Sequence, residues 1–190
     1  MPILYRYLFP AMWLAWAVYW WISARHVKPT ERHESVGSKL SHIGPLLLAA
    51  ILFSVPHMPI SVLGEKFLPP TAWRFAAAAA LTAAGLLMAA WARRYLGTNW
   101  SSTVTIKEGH ELVTTGPYAL VRHPIYTGLL LAFVGSAIAG GEWRGVLAVA
   151  IAFWALWRKL RIEEQWMHEQ FGEAYQAYCR RVSALIPYVL

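Results

Sequence analysis

The sequence predicts an all-α integral membrane protein: five transmembrane helices, with a cytoplasmic loop and a C-terminal interfacial helix forming a pocket at one membrane face. Three observations carry this. The 190-residue chain is 57% hydrophobic and 14% charged, with a mean hydropathy of +0.39, a balance that would keep a soluble domain in solution only with difficulty. Five apolar segments reach or approach the ~20 residues that a helix needs to cross hydrocarbon. Lys and Arg alternate between dense and sparse in successive connections, as membrane topology requires.

Helix one runs from about Leu4 to Ala24. It is rich in Trp and Tyr, as interfacial belts are, and lacks a small-residue cleavage site, so it reads as a retained helix and not a signal peptide. Helix two is expected from Ile43 to Leu63, with Pro56 and Pro59 bending or ending it. Helix three follows Pro69 and Pro70 and carries FAAAAALTAAGLLMAAWA, whose small residues allow close helix contact. Helix four runs from Pro124 to Ala139 and helix five from Trp143 to Leu160.

Between helices three and four, the loop from Tyr95 to Val121 is too polar to span and too long for a mere connector. Within it SSTVTI and HELVTT flank Lys107-Glu108-Gly109, a pattern compatible with a short hairpin. After helix five, QWMHEQFGEAYQAYCRRV spaces Trp166, Phe171, Tyr175 and Tyr178 as an interfacial amphipathic helix does. Gly172 is placed to interrupt it, and Pro187 ends any helical run.

Charge orients the bundle. Arg25, Lys28, Arg32 and Lys39 follow helix one, Arg93, Arg94, Lys107 and Arg122 follow helix three, and Arg158, Lys159, Arg161, Arg180 and Arg181 follow helix five. The other side holds only Arg6, Lys66, Arg74 and Arg144. The N-terminus is therefore expected outside and the C-terminus in the cytoplasm, with a bacterial inner membrane as the expected location.

Several function classes recede. The net charge of +7 is scattered over short loops with no recognition motif, which argues against nucleic acid. Cys179 is the only cysteine, which removes internal disulfides and thiolate zinc sites. His33, His42, His57 and His168 show no ligand spacing, so no metal is expected. No strand-borne glycine-rich turn offers a soluble-type nucleotide fold.

What remains is GPYALVRHPIYTG, Gly116 to Gly128, which sets an Arg, a His and two Tyr against the start of a membrane helix. Ionisable groups are costly there, so the default reading is a functional site. Pro124 suits a first helical turn and puts His123 at the cytoplasmic mouth of helix four. Helix four runs outward, Ala139-Gly140-Gly141-Glu142 reverses the chain, and helix five returns. Glu163 lies nineteen residues past Arg144, about 29 Å along a helix, so His123 and Glu163 emerge on one face as neighbours. Alone, Arg122 and His123 read equally well as an interfacial basic cap, and Glu163 and Glu164 as a solvated helix face. Together they read as one pocket, with Glu163 as ligand and Glu164 paired to Arg161 or Lys159. Arg180 and Arg181 read as headgroup or helix-end contacts, and Asn99, Trp100 and Ser101 as loop packing near the pocket.

HELVTTGPYALVRHPIYTG, then the double Glu of RIEEQ, then FGEAYQAYCRRVSALIP resembles the isoprenylcysteine carboxyl methyltransferase and phospholipid methyltransferase superfamily. The likeness covers about Trp91 to Pro187, so the chain reads as a single membrane domain with three leading helices (1–90) and a methyltransferase core (91–187). It implies methyl transfer from S-adenosylmethionine, leaving S-adenosylhomocysteine, to a lipidic or amphipathic acceptor at the cytoplasmic face of the bilayer. Carried over by motif, the cofactor positions are His110, Glu111, Leu112, Val113, Tyr118, His123, Pro124, Ile125, Tyr126 and Glu163. The catalytic, acceptor-side positions are Arg122, Lys159 and Arg161. The family's prenylcysteine enzymes place an Arg where this chain has Lys159, a point charge in place of a bidentate fork. The tail YCRRVSALIPYVL also resembles membrane sterol reductases that use NADPH, which supplies the alternative function.

Overall fold

A computed structural model describes residues 3–25, 30–55, 61–100, 105–107 and 111–189. In chain order its elements are α1 (Ile3–Ser23), β1 (Thr30–His33), α2 (Val36–Ser54), a single turn α3 (Ser61–Gly64), α4 (Ala72–Leu96), β2 (Thr105–Lys107), α5 (Pro124–Gly140) and α6 (Trp143–Arg181), with 3-10 turns at Gly97–Asn99 and Gly116–Ala119. Among the described residues, five long helices form the body. Among the described residues, Val36–Ser54 and Ala72–Asn99 are long and apolar enough to cross a membrane, and Pro124–Gly140 is apolar but shorter.

Helix α2 differs from its expected bounds at both ends. It starts at Val36 because Ser35 caps it, its hydroxyl accepting from the Ser38 amide at 3.2 Å. It stops at Ser54, and Val55 is extended (φ −72°, ψ 119°) as a residue before proline prefers to be. The expected helix five and interfacial helix are one element, α6. Its interruption falls at Gly172, whose φ of 51° and ψ of −122° are reached readily only by glycine.

Most of the expected hairpin within the third loop, residues 101–104 and 108–110, lies outside the described residues. Thr105–Lys107 pairs antiparallel with Thr30–His33 in the first connection, and Glu111–Thr114 has no regular structure. The loop edge finds its backbone partners on the neighbouring connection, which emerges at the same end of the bundle. At the opposite end the Phe67 amide donates to the Gly141 carbonyl at 2.9 Å, beside a bridge between Lys66 and Glu142. Alternate connections thus gather at alternate ends.

Small residues bring the helices together. A Cβ on Gly85 would lie 2.4 Å from the Gly128 carbonyl oxygen, and one on Gly135 2.7 Å from the Thr82 amide, so α4 and α5 touch backbone to backbone. Ala49 and Leu52 of α2 meet Ala148 and Ala152 of α6 in one buried cluster. A second cluster, holding Trp100, Tyr118, Ile125, Tyr126, Leu156, Leu160 and Leu185, underlies the motif end of the bundle.

Candidate active site

The motif end is built by two cations, one imidazole and two carboxylates. Pro124 is the first residue of α5 and is buried there. His123, just before it, stacks on Tyr126 with ring planes 4° apart. Its Nδ1 lies 3.6 Å from Glu163 and its Nε2 3.3 Å from Glu164. The Tyr126 hydroxyl donates to Glu163 Oε1 at 2.6 Å, and Lys159 Nζ stands 3.9 Å from the same oxygen. Residues 163 and 164 are adjacent on α6, so one carboxylate faces Tyr126 and Lys159 while the other faces Arg122.

Glu164 is paired with Arg122, at 2.6 Å, and not with Arg161 or Lys159. The guanidinium also donates to the Val182 carbonyl. The backbone continues this clasp, the Arg122 amide donating to Ser183 O at 2.8 Å and the His123 amide to Ala184 O at 3.0 Å, while the Thr127 hydroxyl donates to Leu185 O at 2.7 Å. The Tyr178 hydroxyl donates to the Tyr118 carbonyl at 2.5 Å. The motif and the end of α6 are therefore fastened together before any ligand is considered.

Charge states follow. Burial alone would raise the Glu164 carboxyl, but hydrogen bonds and charge from His123 and Arg122 hold it down at about 2. Burial opposes ionisation of Glu163 too, and His123, Lys159 and Tyr126 outweigh it, keeping the group below the ordinary carboxylate value. Burial would lower His123, yet its bonds to the two carboxylates hold it above the usual histidine value. Burial pushes the Tyr118 and Tyr178 hydroxyls up, so both stay protonated donors.

Beside these groups opens a cavity of about 280 Å³. Its wall includes Glu111, Leu112, Val113, Tyr118, Arg122, His123, Ile125, Tyr126, Lys159 and Glu163. Of the remaining expected positions, Pro124 supports the wall from within α5 without joining it, and Arg161 is exposed on α6 outside it. Two residues past Lys159, Arg161 is turned about 200° around the helix. His110 lies outside the described residues, as does Ser101.

The structure adds wall residues that the motifs did not single out: Trp16 and Trp20 of α1, Leu46 of α2, and Trp166, Met167 and Gln170 of α6. No local signal in α1 marks Trp16 among its many aromatics. Near the wall, Glu34 and His42 are buried 3.5 Å apart, with the Ser38 hydroxyl donating to Glu34 at 2.7 Å. Their spacing of four and eight residues is a helix-face signal that a search for metal ligands overlooks. Two buried polar atoms of wall residues, Asn99 Oδ1 and Trp16 Nε1, have no hydrogen-bond partner among the described residues. A buried acceptor and a buried donor left open in a cavity fit a ligand with both kinds of group. Among the described residues no group of three or more His, Cys, Asp or Glu could hold a metal ion.

Fold and site thus define a helical protein, with helices apolar enough for a membrane, whose charged pocket sits at one end of the bundle. The family model for phospholipid methyltransferases matches residues 73–174, and the chain belongs to that family, in the superfamily it shares with the isoprenylcysteine carboxyl methyltransferases. It is similar to protein-S-isoprenylcysteine O-methyltransferase B of Arabidopsis thaliana, 31% identical over 96 residues that make up 49% of each chain. The protein-S-isoprenylcysteine O-methyltransferase of Schizosaccharomyces pombe is 31% identical over 96 residues, 49% of this chain and 41% of its own. The cobalt-zinc-cadmium resistance protein CzcN of Cupriavidus metallidurans is 30% identical over 94 residues, 48% of this chain and 43% of its own. The chain thus spans about half the length, or less, of these relatives. The family and the two isoprenylcysteine relatives are named as methyltransferases, and the apolar helices agree with a membrane protein.

Proposed function

We propose that this protein is an S-adenosylmethionine-dependent methyltransferase that modifies a lipidic or amphipathic acceptor at the cytoplasmic face of a membrane. The single observation that carries this reading is the convergence of Glu163, His123 and Tyr126 on one cavity whose lining also includes the apolar Trp16, Trp20, Leu46, Leu129 and Leu156. The polar part suits a cofactor with an amino acid end, a ribose and an adenine. The apolar part suits a hydrocarbon chain.

When bound, the cofactor supplies an electrophilic methyl group on a sulfonium. The ionised Glu163 would hold its ammonium, with Tyr126 and His123 fixing that carboxylate, and Asn99 Oδ1 would accept from a donor of its nucleoside. The Tyr118 ring in the cavity wall would offer an aromatic surface to a cation, while Trp100 already carries the Arg93 guanidinium over its ring. Catalysis would come mainly from holding the acceptor close to the methyl carbon in a dry cavity. Lys159, buried beside Glu163, would attract an anionic acceptor, and a carboxylate acceptor needs no proton removed. Arg122 would contribute by holding the wall in place, since Glu164 and Val182 already occupy its guanidinium.

A five-span arrangement with the N-terminus outside, residues 91–187 as the methyltransferase core and the motif end in the cytoplasm is part of the same reading. The β1–β2 pairing at one end and the Lys66–Glu142 bridge at the other support it. The test is thermal stabilisation of the purified protein by S-adenosylhomocysteine against NADPH. Stabilisation by S-adenosylhomocysteine is expected, and stabilisation by NADPH alone would replace this reading with a reductase. Glu163→Gln is expected to weaken S-adenosylhomocysteine binding at least several-fold by calorimetry, and unchanged affinity removes Glu163 from the site.

A further inference from the structure

From the motif end the cavity runs inward among the helices. On each helix that lines its apolar part, the wall residue farthest from the motif end is Trp16 of α1, Leu46 of α2, Leu129 of α5 or Leu156 of α6. One turn further along, the helices close on one another. Past Leu46 and Leu156, Ala49 of α2 and Ala152 of α6 are fully buried in one cluster with Leu52 and Ala148. Small side chains on both helices bring the backbones close there and leave no width between them for a ligand.

Past Trp16 and Leu129 the helices meet through aromatic rings. Trp13 lies one turn from Trp16 on α1, with the two ring centroids 5.9 Å apart. The Trp13 ring stands 5.0 Å from Phe133, which lies one turn past Leu129 on α5, and Phe133 stacks on Phe53 of α2 at 5.8 Å. Phe133 and Phe53 also pack against the alanine cluster. Three rings from three helices thus form one row across the bundle. The row is pinned at its α1 end, where Trp13 Nε1 donates to the Ser136 hydroxyl at 3.0 Å and that hydroxyl donates to the Ala132 carbonyl at 2.9 Å. The bonded indole N–H fixes the ring in one orientation.

We propose that the row of Trp13, Phe133 and Phe53 is the stop that sets how long a hydrocarbon chain the acceptor carries. The inference rests on the reading of this cavity as the acceptor's, and adds to it a chain length and the residues that fix it. An anionic head held at Lys159 leaves its chain the seven residues of α6 back to Ala152, about 10.5 Å at the rise of a helix. Carbon–carbon bonds of about 1.52 Å in a zigzag fill that depth with roughly eight to ten carbons. Trp16, Leu46, Leu129 and Leu156 give those carbons an apolar wall. A longer chain meets the rings. Two of the three, Trp13 and Phe53, come from α1 and α2, outside the residues 73–174 that the family model matches, so the limit belongs to this chain's own leading helices.

The experiment offers a series of straight-chain saturated carboxylates, from hexanoate to hexadecanoate, to the detergent-purified full chain. It reads one-to-one adducts by native mass spectrometry at matched free concentrations, and S-adenosylhomocysteine binding separately by calorimetry. Binding is expected to strengthen with each methylene up to about ten carbons and to fall about tenfold or more by hexadecanoate, where the buried-methylene gain ends. Phe133→Ala removes a ring from the row and is expected to restore dodecanoate and tetradecanoate about tenfold without changing S-adenosylhomocysteine binding. Leu129→Phe brings a ring one turn nearer the head and is expected to weaken decanoate about tenfold while leaving hexanoate within about twofold. A loss of stability alone would weaken every length alike, and should Phe133→Ala fail to fold, Leu129→Phe decides. No adduct at any length, no fall in binding of long chains, or a limit that Leu129→Phe leaves in place each overturns the proposal. A chain-length limit without S-adenosylhomocysteine binding would instead sink the methyltransferase reading and leave the stop standing.

Discussion

His123 carries more of the site than its size suggests, because each ring nitrogen faces a different carboxylate: Glu163 toward the cavity and Glu164 toward Arg122. This divides the two glutamates by role, one open to a ligand and one occupied in holding the wall. It also sets a pH dependence. Glu164 titrates at about 2 when folded against 4.5 as a free group, so its share of stability is complete above pH 4.5 and is lost as pH falls toward 2. The share from His123 runs the other way. Its folded value stands above 6.5, so that share is complete below pH 6.5 and is lost as pH rises through the folded value. Thermal unfolding across pH is expected to show both limbs, and Glu164→Gln to flatten the acid one. Arg122→Ala leaves the partly buried Glu164 with His123 alone and removes the guanidinium bond to the Val182 carbonyl. A loss of about 1–3 kcal/mol is expected in denaturant unfolding, the range for hydrogen bonds to charged groups, because the pair is only partly buried and His123 still faces Glu164.

At the level of elements, the contact between α4 and α5 sets the tolerance of the scaffold. With a Cβ position 2.4 Å from the Gly128 oxygen and 2.6 Å from the Ala132 amide nitrogen, Gly85→Ala must push the two helices apart. A loss of about 1–3 kcal/mol is expected from overpacking, read as a lower Tm. Gly37 is the control. It lies in the first turn of α2 with nothing within 4 Å of its Cβ position, so Gly37→Ala is expected to be neutral or to stabilise by up to about 1 kcal/mol. The two glycines look alike in the sequence, and only the neighbouring helix separates them.

For the whole molecule, the pairing of connections at opposite ends makes topology measurable. In a Cys179→Ser background, Gly37→Cys and Arg180→Cys are expected to react with a membrane-impermeant thiol reagent from one side of sealed vesicles, and Lys66→Cys from the other. Labelling of all three from one side would overturn the five-span arrangement. The same pairing changes the meaning of the long third loop. Through β2 it is joined to the first connection, and through Glu111–Val113 it walls the cavity, so α1 and α2 reach the site that the sequence assigned to the second half of the chain.

Much of this was legible in the residues. Apolar segments and prolines marked the helices, because hydrocarbon length and the missing proline N–H act locally along the chain. The RHP motif and the double Glu marked the charged pocket, because helix rise alone brings position 163 back to the end from which α5 departs. Partner choice was not legible. That Arg122 takes Glu164 and the Val182 carbonyl, that β2 pairs with β1, and that Trp16, Leu46, Glu34 and His42 gather at or near the cavity depend on which helix faces lie together. Those faces are set by backbone contacts such as Gly85 on Gly128, between residues more than forty positions apart. Sequence periodicity says that a face is small or apolar, and only the packed bundle decides what it touches.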